Sequence, residues 1–261
     1  MNNIVVVKCG GSTITELTES FFESIVQLKN AGKHPIIVHG GGPAINKMLT
    51  QLQIPSTFID GLRKTTEEVL ETAEMVLCGK MNKQLTRKLQ SVGAKAIGLS
   101  GTDGKLIVAE AIDKEKLGFV GEPVQINKKL LLSLLDSDFI PVIAPIGVDQ
   151  SGQHYNINAD SAAAIIAAEL KAEELVFVTD VDGILKDKHL LPTITAEEIA
   201  LYINDGTIYG GMIPKVKAAL KSLTGSLQSV WIMNGKGTSL FANGTIYGTK
   251  ITKKQVATTA T

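Results

Sequence analysis

The chain has 261 residues, 44% of them hydrophobic and 20% charged, which is the composition of an ordinary globular protein. Its 26 basic and 26 acidic side chains cancel. This balance excludes a net field that would attract nucleic acid or an anionic membrane, so we expect neither as a partner. Cys9 and Cys78 form no CxxC pair, and no apolar run approaches the roughly 20 residues of a membrane-spanning helix. With no signal-peptide pattern at the N-terminus, we expect a cytoplasmic protein.

Strand-like and helix-like segments alternate along almost the whole chain. In chain order, the prediction is strand Asn3–Lys8, helix Leu17–Ala31, strand Pro35–His39, helix Pro43–Leu52, helix Thr66–Leu77 capped by Gly79, helix Lys80–Ser91, strand 94–100, a hairpin or small side sheet from 105–112 and 119–126, helix Asn127–Asp136, strand Ile140–Ile146, helix Ala159–Leu170, strand Leu175–Thr179, helices Ala196–Asn204 and Pro214–Leu223, strands Ser229–Met233 and Tyr247–Ile251, and a frayed tail at 253–261. This alternation predicts an α/β fold with a mainly parallel sheet covered by helices on both faces. Because the βαβ order restarts at Leu175, a boundary between two lobes is expected near residue 170.

Glycine-rich loops follow several of the predicted strands. They are "CGGS" at 9–12, "HGGGP" at 39–43, "SGTDG" at 100–104, "DVDG" at 180–183 and "YGGMIPK" at 209–215. In open α/β sheets ligands bind beyond the carboxyl ends of the strands, and glycine lets backbone N–H groups approach an anion closely. As a set, these loops predict a phosphate or carboxylate site.

Several known motifs are absent from the sequence. No GxxxxGK[ST] phosphate loop occurs, and Gly40-x-Gly42 is followed by Ile45 where a dinucleotide fingerprint needs its third glycine. The protein-kinase motifs, the GxSxG elbow and the HExxH zinc motif are missing too. The four histidines show no metal-ligand spacing, so no protein-held metal site is expected.

Five polar residues near these loops are candidates for chemistry. Lys8 ends a buried strand. Lys215 lies in the first turn of a predicted helix, where a cation opposes the helix dipole, so its placement is unfavourable unless an anion is bound there too. Asp160 is either a cap or first-turn carboxylate, or the partner of the two lysines. Arg63 is either a solvated loop residue or a fork for a carboxylate, and Asn156 is either a turn residue or a substrate amide partner.

Eight segments in order resemble the amino acid kinase family. They are "VVVKCGGS", "VHGGGPAIN", "DGLRKTT", "GLSGTDG", "IPVIAPIG", "NINADSAAA", "VFVTDVDGIL" and "GGMIPKV", and the resemblance spans about residues 3–251. It implies an αβα sandwich of two lobes. It also implies ATP-dependent phosphorylation of the side-chain carboxylate of N-acetyl-L-glutamate, the second step of arginine biosynthesis. The lobe at 1–170 would bind the amino acid and form a homodimer, and the lobe at 171–261 would bind ATP with its Mg²⁺.

The resemblance also implies roles for individual residues. Lys8 would hold the β,γ-phosphate bridge region and the transferring phosphoryl group, and Lys215 would neutralise charge on the donor side. Asp160 would orient both lysines. Arg63 and Asn156 would hold the acceptor, and glycine N–H groups would contact phosphoryl and carboxylate oxygens at Gly10, Gly11, Gly41 and Gly42. The nucleotide would lie against Asp180, Val181, Asp182, Gly183, Ile184, Leu185, Thr207, Ile208 and Tyr209. Because the acceptor carboxylate is already ionised, this scheme needs no general base.

Two features differ from the family pattern. Arginine-inhibited members carry an additional N-terminal helix, which is missing here, so we expect a homodimer insensitive to arginine. Thr102 and Lys105 stand in "SGTDGKLI" where relatives often have a charged residue and a glycine.

Other readings stay open at this point. Kinases of the same fold act on acetylaminoadipate, glutamate, aspartate, carbamate or UMP, and one methylene of substrate length is beyond what the sequence resolves. A non-catalytic small-molecule sensor on the same scaffold is a more distant alternative. A Rossmann dehydrogenase is disfavoured by the missing third glycine.

Overall fold

The computed structural model describes residues 3–223, 227, 229–236, 240–242 and 244–253. Residues 254–261, almost all of the predicted frayed tail, lie outside the described residues. Within the described part, the strands are β1 Ile4–Cys9, β2 His34–His39, β3 Phe58–Ile59, β4 Leu62–Arg63, β5 Ala96–Ser100, β6 Ile107–Ala111, β7 Val120–Ile126, β8 Ile140–Ala144, β9 Ile146–Val148, β10 His154–Ile157, β11 Glu174–Thr179, β12 Leu185–Lys186, β13 His189–Leu190, β14 Thr193–Thr195, β15 Ser229–Asn234, β16 Phe241–Ala242, β17 Thr245–Ile246 and β18 Thr249–Thr252.

The helices of the described residues cover both faces of the main sheet. They are α1 Glu19–Asn30, α2 Gly42–Gln51, α3 Glu67–Glu74, α4 Asn82–Ser91, α5 Lys114–Leu117, α6 Lys128–Asp136, α7 Ala159–Glu169, α8 Ala196–Asn204 and α9 Met212–Ser222, with a π-helical segment at Met75–Met81 between α3 and α4. In the part of the chain that the structure describes, no helix combines the length and hydropathy needed to cross a membrane.

Eight strands form the central sheet in the order β14-β18-β15-β11-β1-β2-β8-β5. Neighbours in this order run parallel except β15 and β18, which are antiparallel. The prediction of a mainly parallel sheet between two helical layers is confirmed. β1 lies near the middle of the sheet, between β11 and β2, so its carboxyl end opens at the centre of the sheet edge where ligands bind.

The pleat of β1 divides its side chains between the two faces. Ile4 and Val6 pack into the core on the side of α7 and α9, whereas Val5, Val7 and Cys9 pack into the core on the side of α1 to α4. Lys8 follows Val6 on the first face. The strand therefore aims its one charged side chain at α7.

The region 105–126 forms the expected hairpin, and the structure extends it. β6 and β7 pair antiparallel and close with β9 and β10 into a four-stranded barrel. The predicted strand Ile140–Ile146 is accordingly divided, because Pro145 separates β8 in the main sheet from β9 in the barrel. β10 was not predicted, since four residues of mixed polarity give little periodic signal.

The prediction that Gly79 ends a helix is wrong. The chain continues from α3 through the π-helical segment Met75–Met81 into α4, and Gly79 lies within that segment. Val76, Leu77 and Met81 are buried in the core. Burial of this apolar face outweighs the local helix-ending preference of glycine, because tertiary packing contributes more than intrinsic propensity.

Lys105, one of the two residues that differ from the family pattern, lies in the loop after β5. Gly104 and Lys105 both have positive φ, 60° and 50°. That backbone region favours glycine and costs other L-residues roughly 1–2 kcal/mol. The lysine thus occupies a position whose conformation suits the glycine expected from the resemblance; the structure gives Thr102 no comparable explanation.

Candidate active site

Lys8 and Asp160 form an ion pair at the centre of the sheet edge. Lys8 Nζ lies 2.8 Å from Asp160 Oδ1, and the two side chains are 15% and 33% exposed. Asp160 is in the first turn of α7, and Asn158, not Asp160, caps that helix by accepting hydrogen bonds from the N–H groups of Asp160 and Ser161. Asp160 Oδ1 is buried and has no hydrogen-bond partner among the described residues, so this oxygen is compensated by the charge of Lys8.

The glycine loops after β1 and β2 pack directly against each other. A Cβ on Gly11 would lie 2.7 Å from the Gly41 nitrogen and 2.9 Å from the Gly42 nitrogen. Gly10 and Gly40 continue the sheet, since their N–H groups donate to Val178 and Cys9 carbonyls. Within the described residues, no backbone hydrogen bond uses the Gly11 or Gly41 N–H as donor. The two loops therefore bring backbone donors together in a space that no side chain fills.

A cavity of about 390 Å³ lies over these loops. Its lining includes Lys8, Arg63 and Asn156, together with Gly10, Gly11, Gly40, Gly41 and Gly42. The structure thus gathers four segments that are distant in sequence around one space. Two positive side chains, backbone donors and an amide line this space, and these are the groups that bind carboxylate and phosphoryl oxygens.

Arg63 is held rigidly at this cavity. Its guanidinium donates from Nη1 to Asn46 Oδ1 at 2.6 Å and to Ser56 Oγ, and from Nη2 to the Gly42 carbonyl at 3.4 Å. It also stacks over the Phe58 ring at 4.6 Å. Arg63 is 7% exposed, and burial lowers its pKa. No carboxylate within 4 Å pairs with it among the described residues, so its charge faces the cavity without a protein counter-ion.

Asn156 reaches the same cavity from strand β10. Its Nδ2 donates to Thr65 Oγ1 at 3.2 Å, and that hydroxyl donates to the Arg63 carbonyl at 2.9 Å. The residue is half-buried. These bonds fix the direction of the amide relative to Arg63.

A second cavity, of about 290 Å³, lies beside the first turn of α9. Its lining residues are Val181, Asp182, Gly183, Ile184, Leu185, Thr207, Ile208, Tyr209, Gly211, Met212 and Lys215. Asp180 does not line it. The segments 181–185 and 207–209, chosen from the sequence for the nucleotide, thus meet around one space with Lys215.

The two lysines have different carboxylate partners. The expectation that Asp160 orients both is not what this structure shows, since Lys215 Nζ lies 3.0 Å from Asp180 Oδ1. That hydrogen bond lowers the pKa of Asp180, with a smaller contribution from the charge of Lys236. The reason is position: Asp180 follows β11, which lies next to β15, and α9, which carries Lys215, packs against β15. Each lysine therefore has its own anionic support.

The family of the chain is decided by comparison with known proteins. The model of the amino acid kinase family matches residues 3–234. The chain belongs to this family. Acetylglutamate kinase of Halalkalibacterium halodurans is 56% identical over 256 residues, covering 98% of each chain. That of Geobacillus kaustophilus is 52% identical over 254 residues, covering 97% of this chain and 98% of the other.

A solved structure supports the same family fold. A crystal structure from Streptococcus mutans UA159 superposes with a TM-score of 0.83 at 33% identity, covering 97% of this chain and all of the other. The αβα architecture of the amino acid kinase family is therefore present over almost the entire chain.

Two residues near this family site, Lys236 and Asn82, were missed by reasoning from the sequence, whereas His39 was expected to orient the glycine loop without being catalytic. Lys236 follows β15, and its Nζ lies 2.6 Å from Glu16 Oε2; its place in a glycine-containing loop after a strand was the available signal. His39 and Asn82 are both fully buried next to the glycine loop. Asn82 gave no signal, because only the folded chain brings it to His39.

Within the described ranges, no three His, Cys, Asp or Glu residues are placed to hold a metal ion. The glycine loops leave the space that a Cβ would fill, and Lys8 and Lys215 supply positive charge. These residues fit the phosphates of a nucleotide.

We predict that acid weakens the fold through His39. Burial lowers its pKa from 6.5 to about 4. Between these values the unfolded chain binds a proton that the folded protein does not, so stability is lost as the pH falls through this range. The expected loss is about 2 kcal/mol between pH 7 and pH 5. Urea titrations at the two pH values measure it, and His39→Asn should remove this component; an equal loss in both proteins would contradict the prediction.

Proposed function

We propose that the protein is a kinase that transfers the γ-phosphoryl group of ATP to the side-chain carboxylate of N-acetyl-L-glutamate. The product is N-acetyl-L-glutamyl 5-phosphate, in the second step of arginine biosynthesis. The observation that carries the proposal is the cavity lined by Lys8, the glycine loops, Arg63 and Asn156. Relatives at 52–56% identity named acetylglutamate kinase support the choice of acceptor.

The acceptor is bound by its charge and its amide. In the proposed complex, Arg63 holds the α-carboxylate with its paired N–H donors, and Asn156 bonds the acetamido group. Gly41 and Gly42 donate to carboxylate oxygens. Because Arg63 is buried and fixed by Asn46 and Ser56, little side-chain freedom is lost when the acceptor binds.

The transfer step needs positioning and charge neutralisation rather than a base. An oxygen of the ionised side-chain carboxylate forms a bond to the γ-phosphorus as the bond to the β,γ-bridging oxygen breaks, and ADP leaves with that electron pair. Lys8 and the Gly11 N–H stabilise charge on the transferring group, whereas the Gly10 N–H predicted for the same role donates to the Val178 carbonyl. Asp160 fixes the direction of Lys8. Lys215 neutralises charge on the donor side.

The nucleotide is assigned to the second cavity. Residues 181–185 and 207–209 lie against adenine and ribose in this proposal, with Asp180 supporting Lys215. Mg²⁺ arrives with ATP and is held mainly by phosphates and water. The division into an acceptor lobe at 1–170 and an ATP lobe at 171–261 belongs to the same proposal, as do a cytoplasmic location and a homodimer. β5 is an edge strand of the sheet. Light scattering measures whether the protein is a homodimer.

Trapping the product tests the proposed function. With ATP, Mg²⁺ and N-acetyl-L-glutamate, an acyl phosphate reacts with hydroxylamine to give a hydroxamate. We expect hydroxamate in amounts equal to the ADP released. ADP release without hydroxamate, or no turnover of N-acetyl-L-glutamate at all, would overturn the proposal.

We predict that Arg63→Met raises KM for N-acetyl-L-glutamate at least tenfold while changing kcat less. The substitution removes a charge-assisted pair to the α-carboxylate, which is distant from the reacting carboxylate. Steady-state kinetics with the acceptor varied measures the effect. Arg87→Met, at an exposed position on α4, is the matched control and should leave KM unchanged. An unchanged KM in Arg63→Met would remove Arg63 from acceptor binding.

We predict that Gly11→Ala lowers kcat at least tenfold. Its methyl group would lie 2.7 Å from the Gly41 nitrogen, so the two donor loops must separate. Gly79→Ala is the control, because a Cβ there meets nothing within 4 Å. It should keep full activity and the same stability, or gain up to about 1 kcal/mol. Full activity of Gly11→Ala would show that close contact of the loops is not required.

A further inference from the structure

His39 is a fully buried histidine that the proposed mechanism leaves without a role. It is the last residue of β2 and directly precedes the glycine loop. A buried imidazole in a sheet core requires partners for its polar nitrogens. Both partners are defined in this structure, and together they fix the state of the ring.

The two contacts determine which nitrogen carries the proton. His39 Nδ1 lies 3.0 Å from the Gly40 carbonyl oxygen. A carbonyl only accepts, so Nδ1 carries the hydrogen and donates it. Nε2 lies 3.3 Å from Asn82 Nδ2, which only donates, so Nε2 accepts. The ring is therefore the neutral tautomer protonated on Nδ1.

Asn82 fixes the orientation of the His39 ring. It is fully buried at the junction between the π-helical segment and α4. Its Nδ2 also donates to the Leu99 carbonyl at 3.1 Å and to the Val142 carbonyl at 2.8 Å, on two strands of the sheet. Its two hydrogens serve these two carbonyls, and the longer contact to His39 Nε2 shares one of them. A flip of the amide would set Oδ1, which has no hydrogen-bond partner among the described residues, against both carbonyls. The π-helical segment adds a second constraint, since Leu77 Cδ2 would lie 2.5 Å from a Cβ on Gly41.

The hydrogen bond to the Gly40 carbonyl sets the direction of the next N–H. No cis peptide bond occurs in the described residues. In a trans peptide the carbonyl and the following N–H point in opposite directions. With the Gly40 carbonyl turned to His39, the Gly41 N–H points away from the ring, and the Gly41 nitrogen is indeed beside Gly11 at the cavity.

We propose that His39 is a positioning residue: its Nδ1–H holds the Gly40 carbonyl so that the Gly41 N–H faces the substrate oxygens, with Asn82 fixing the ring. The role rests on the proposed kinase function. His39 touches no substrate itself. It removes the freedom of one peptide unit to rotate, and a preorganised donor stabilises developing charge without reorganising during the reaction.

Two polar substitutions separate positioning from packing. In His39→Asn the amide nitrogen is as many bonds from Cα as Nδ1, so it can donate to the Gly40 carbonyl. In His39→Gln the amide oxygen can take the place of Nε2 and accept from Asn82, which leaves no donor at the Nδ1 position. We expect kcat to fall at least tenfold in His39→Gln and to be largely rescued in His39→Asn, with equal melting temperatures and similar KM for ATP. Equal losses of kcat in the two variants, or none in His39→Gln, would overturn the proposal.

Two further measurements do not depend on turnover. Long-range ¹H–¹⁵N spectra of the wild-type histidines should show His39 as the Nδ1–H tautomer at pH 7; the Nε2–H tautomer would contradict the proposal. Inorganic phosphate should shift the Gly41 amide signal in the wild type and in His39→Asn, and shift it less in His39→Gln. If the wild type failed to phosphorylate N-acetyl-L-glutamate, the kinase proposal would fail while these spectra still decided the role of His39. If His39→Gln does not fold, the spectra of the wild type and His39→Asn still decide the role of His39. In that case the Gly41 amide signal of His39→Asn must shift with phosphate as it does in the wild type.

Discussion

Lys8→Ala should lower kcat at least a hundredfold while the protein stays folded. Lys8 is the only charged side chain that β1 carries, and the pleat of the strand directs it to Asp160. A preorganised cation directed at the charge of the transferring group lowers the activation barrier by roughly 3 kcal/mol, by analogy with oxyanion-hole donors. KM for N-acetyl-L-glutamate should change less, because Arg63 and Asn156 remain.

The ion pair provides its own controls. Asp160→Asn should lower kcat less than Lys8→Ala does, since it removes only the group that orients the lysine. The double variant should be no slower than Lys8→Ala alone, because residues acting as one unit are not additive. Lys33→Ala breaks an ion pair of similar length, 2.6 Å to Glu173, at the protein surface and should leave kcat unchanged. Near-normal kcat in Lys8→Ala would remove this lysine from the mechanism.

Lys215→Ala should also lower kcat at least a hundredfold. Lys215 lies in the first turn of α9, where the helix dipole opposes a cation, and Asp180 offsets this cost. With a bound nucleotide, the phosphates become a second counter-charge. Removal of the lysine leaves charge on the departing ADP uncompensated during transfer.

The control for Lys215 lies on the same helix. Lys217 is exposed, so Lys217→Ala has the same effect on net charge and on helix composition without removing a group from the second cavity. It should keep wild-type kcat. If Lys215→Ala turned over at a rate near the wild type, Lys215 would be a surface lysine and the donor side would need another cation. Lys236, whose charge also lowers the pKa of Asp180, is a candidate.

The sequence predicted the central layer of this molecule well, because its signals are local. The apolar run before Lys8 identified β1, and the glycines after β1 and β2 marked the strand ends. In α/β sheets these ends share one edge, so Lys8, Asp160 and the glycine loops could be placed together without coordinates. The alternation of helices and strands along the chain was sufficient to predict a helical layer on each face of the sheet.

Other features depend on contacts between distant segments and gave no local signal. Gly79 has the composition of a helix end, yet Val76, Leu77 and Met81 are buried and the helix continues. The partner of Lys215 could not be read from the sequence, since Asp160 and Asp180 both follow strand ends and only the sheet order assigns Asp180 to it. Asn82 reaches His39 across 43 positions of the chain.

The acceptor specificity of the purified protein tests the proposed kinase function directly. ADP release is measured with ATP and Mg²⁺ against N-acetyl-L-glutamate, acetylaminoadipate, L-glutamate, L-aspartate, carbamate and UMP. We expect kcat/KM to be highest for N-acetyl-L-glutamate and the unacetylated amino acids to be poor acceptors, because Asn156 would then lack its acetamido partner. No turnover of N-acetyl-L-glutamate, or a higher kcat/KM for any other acceptor, would contradict the proposed function.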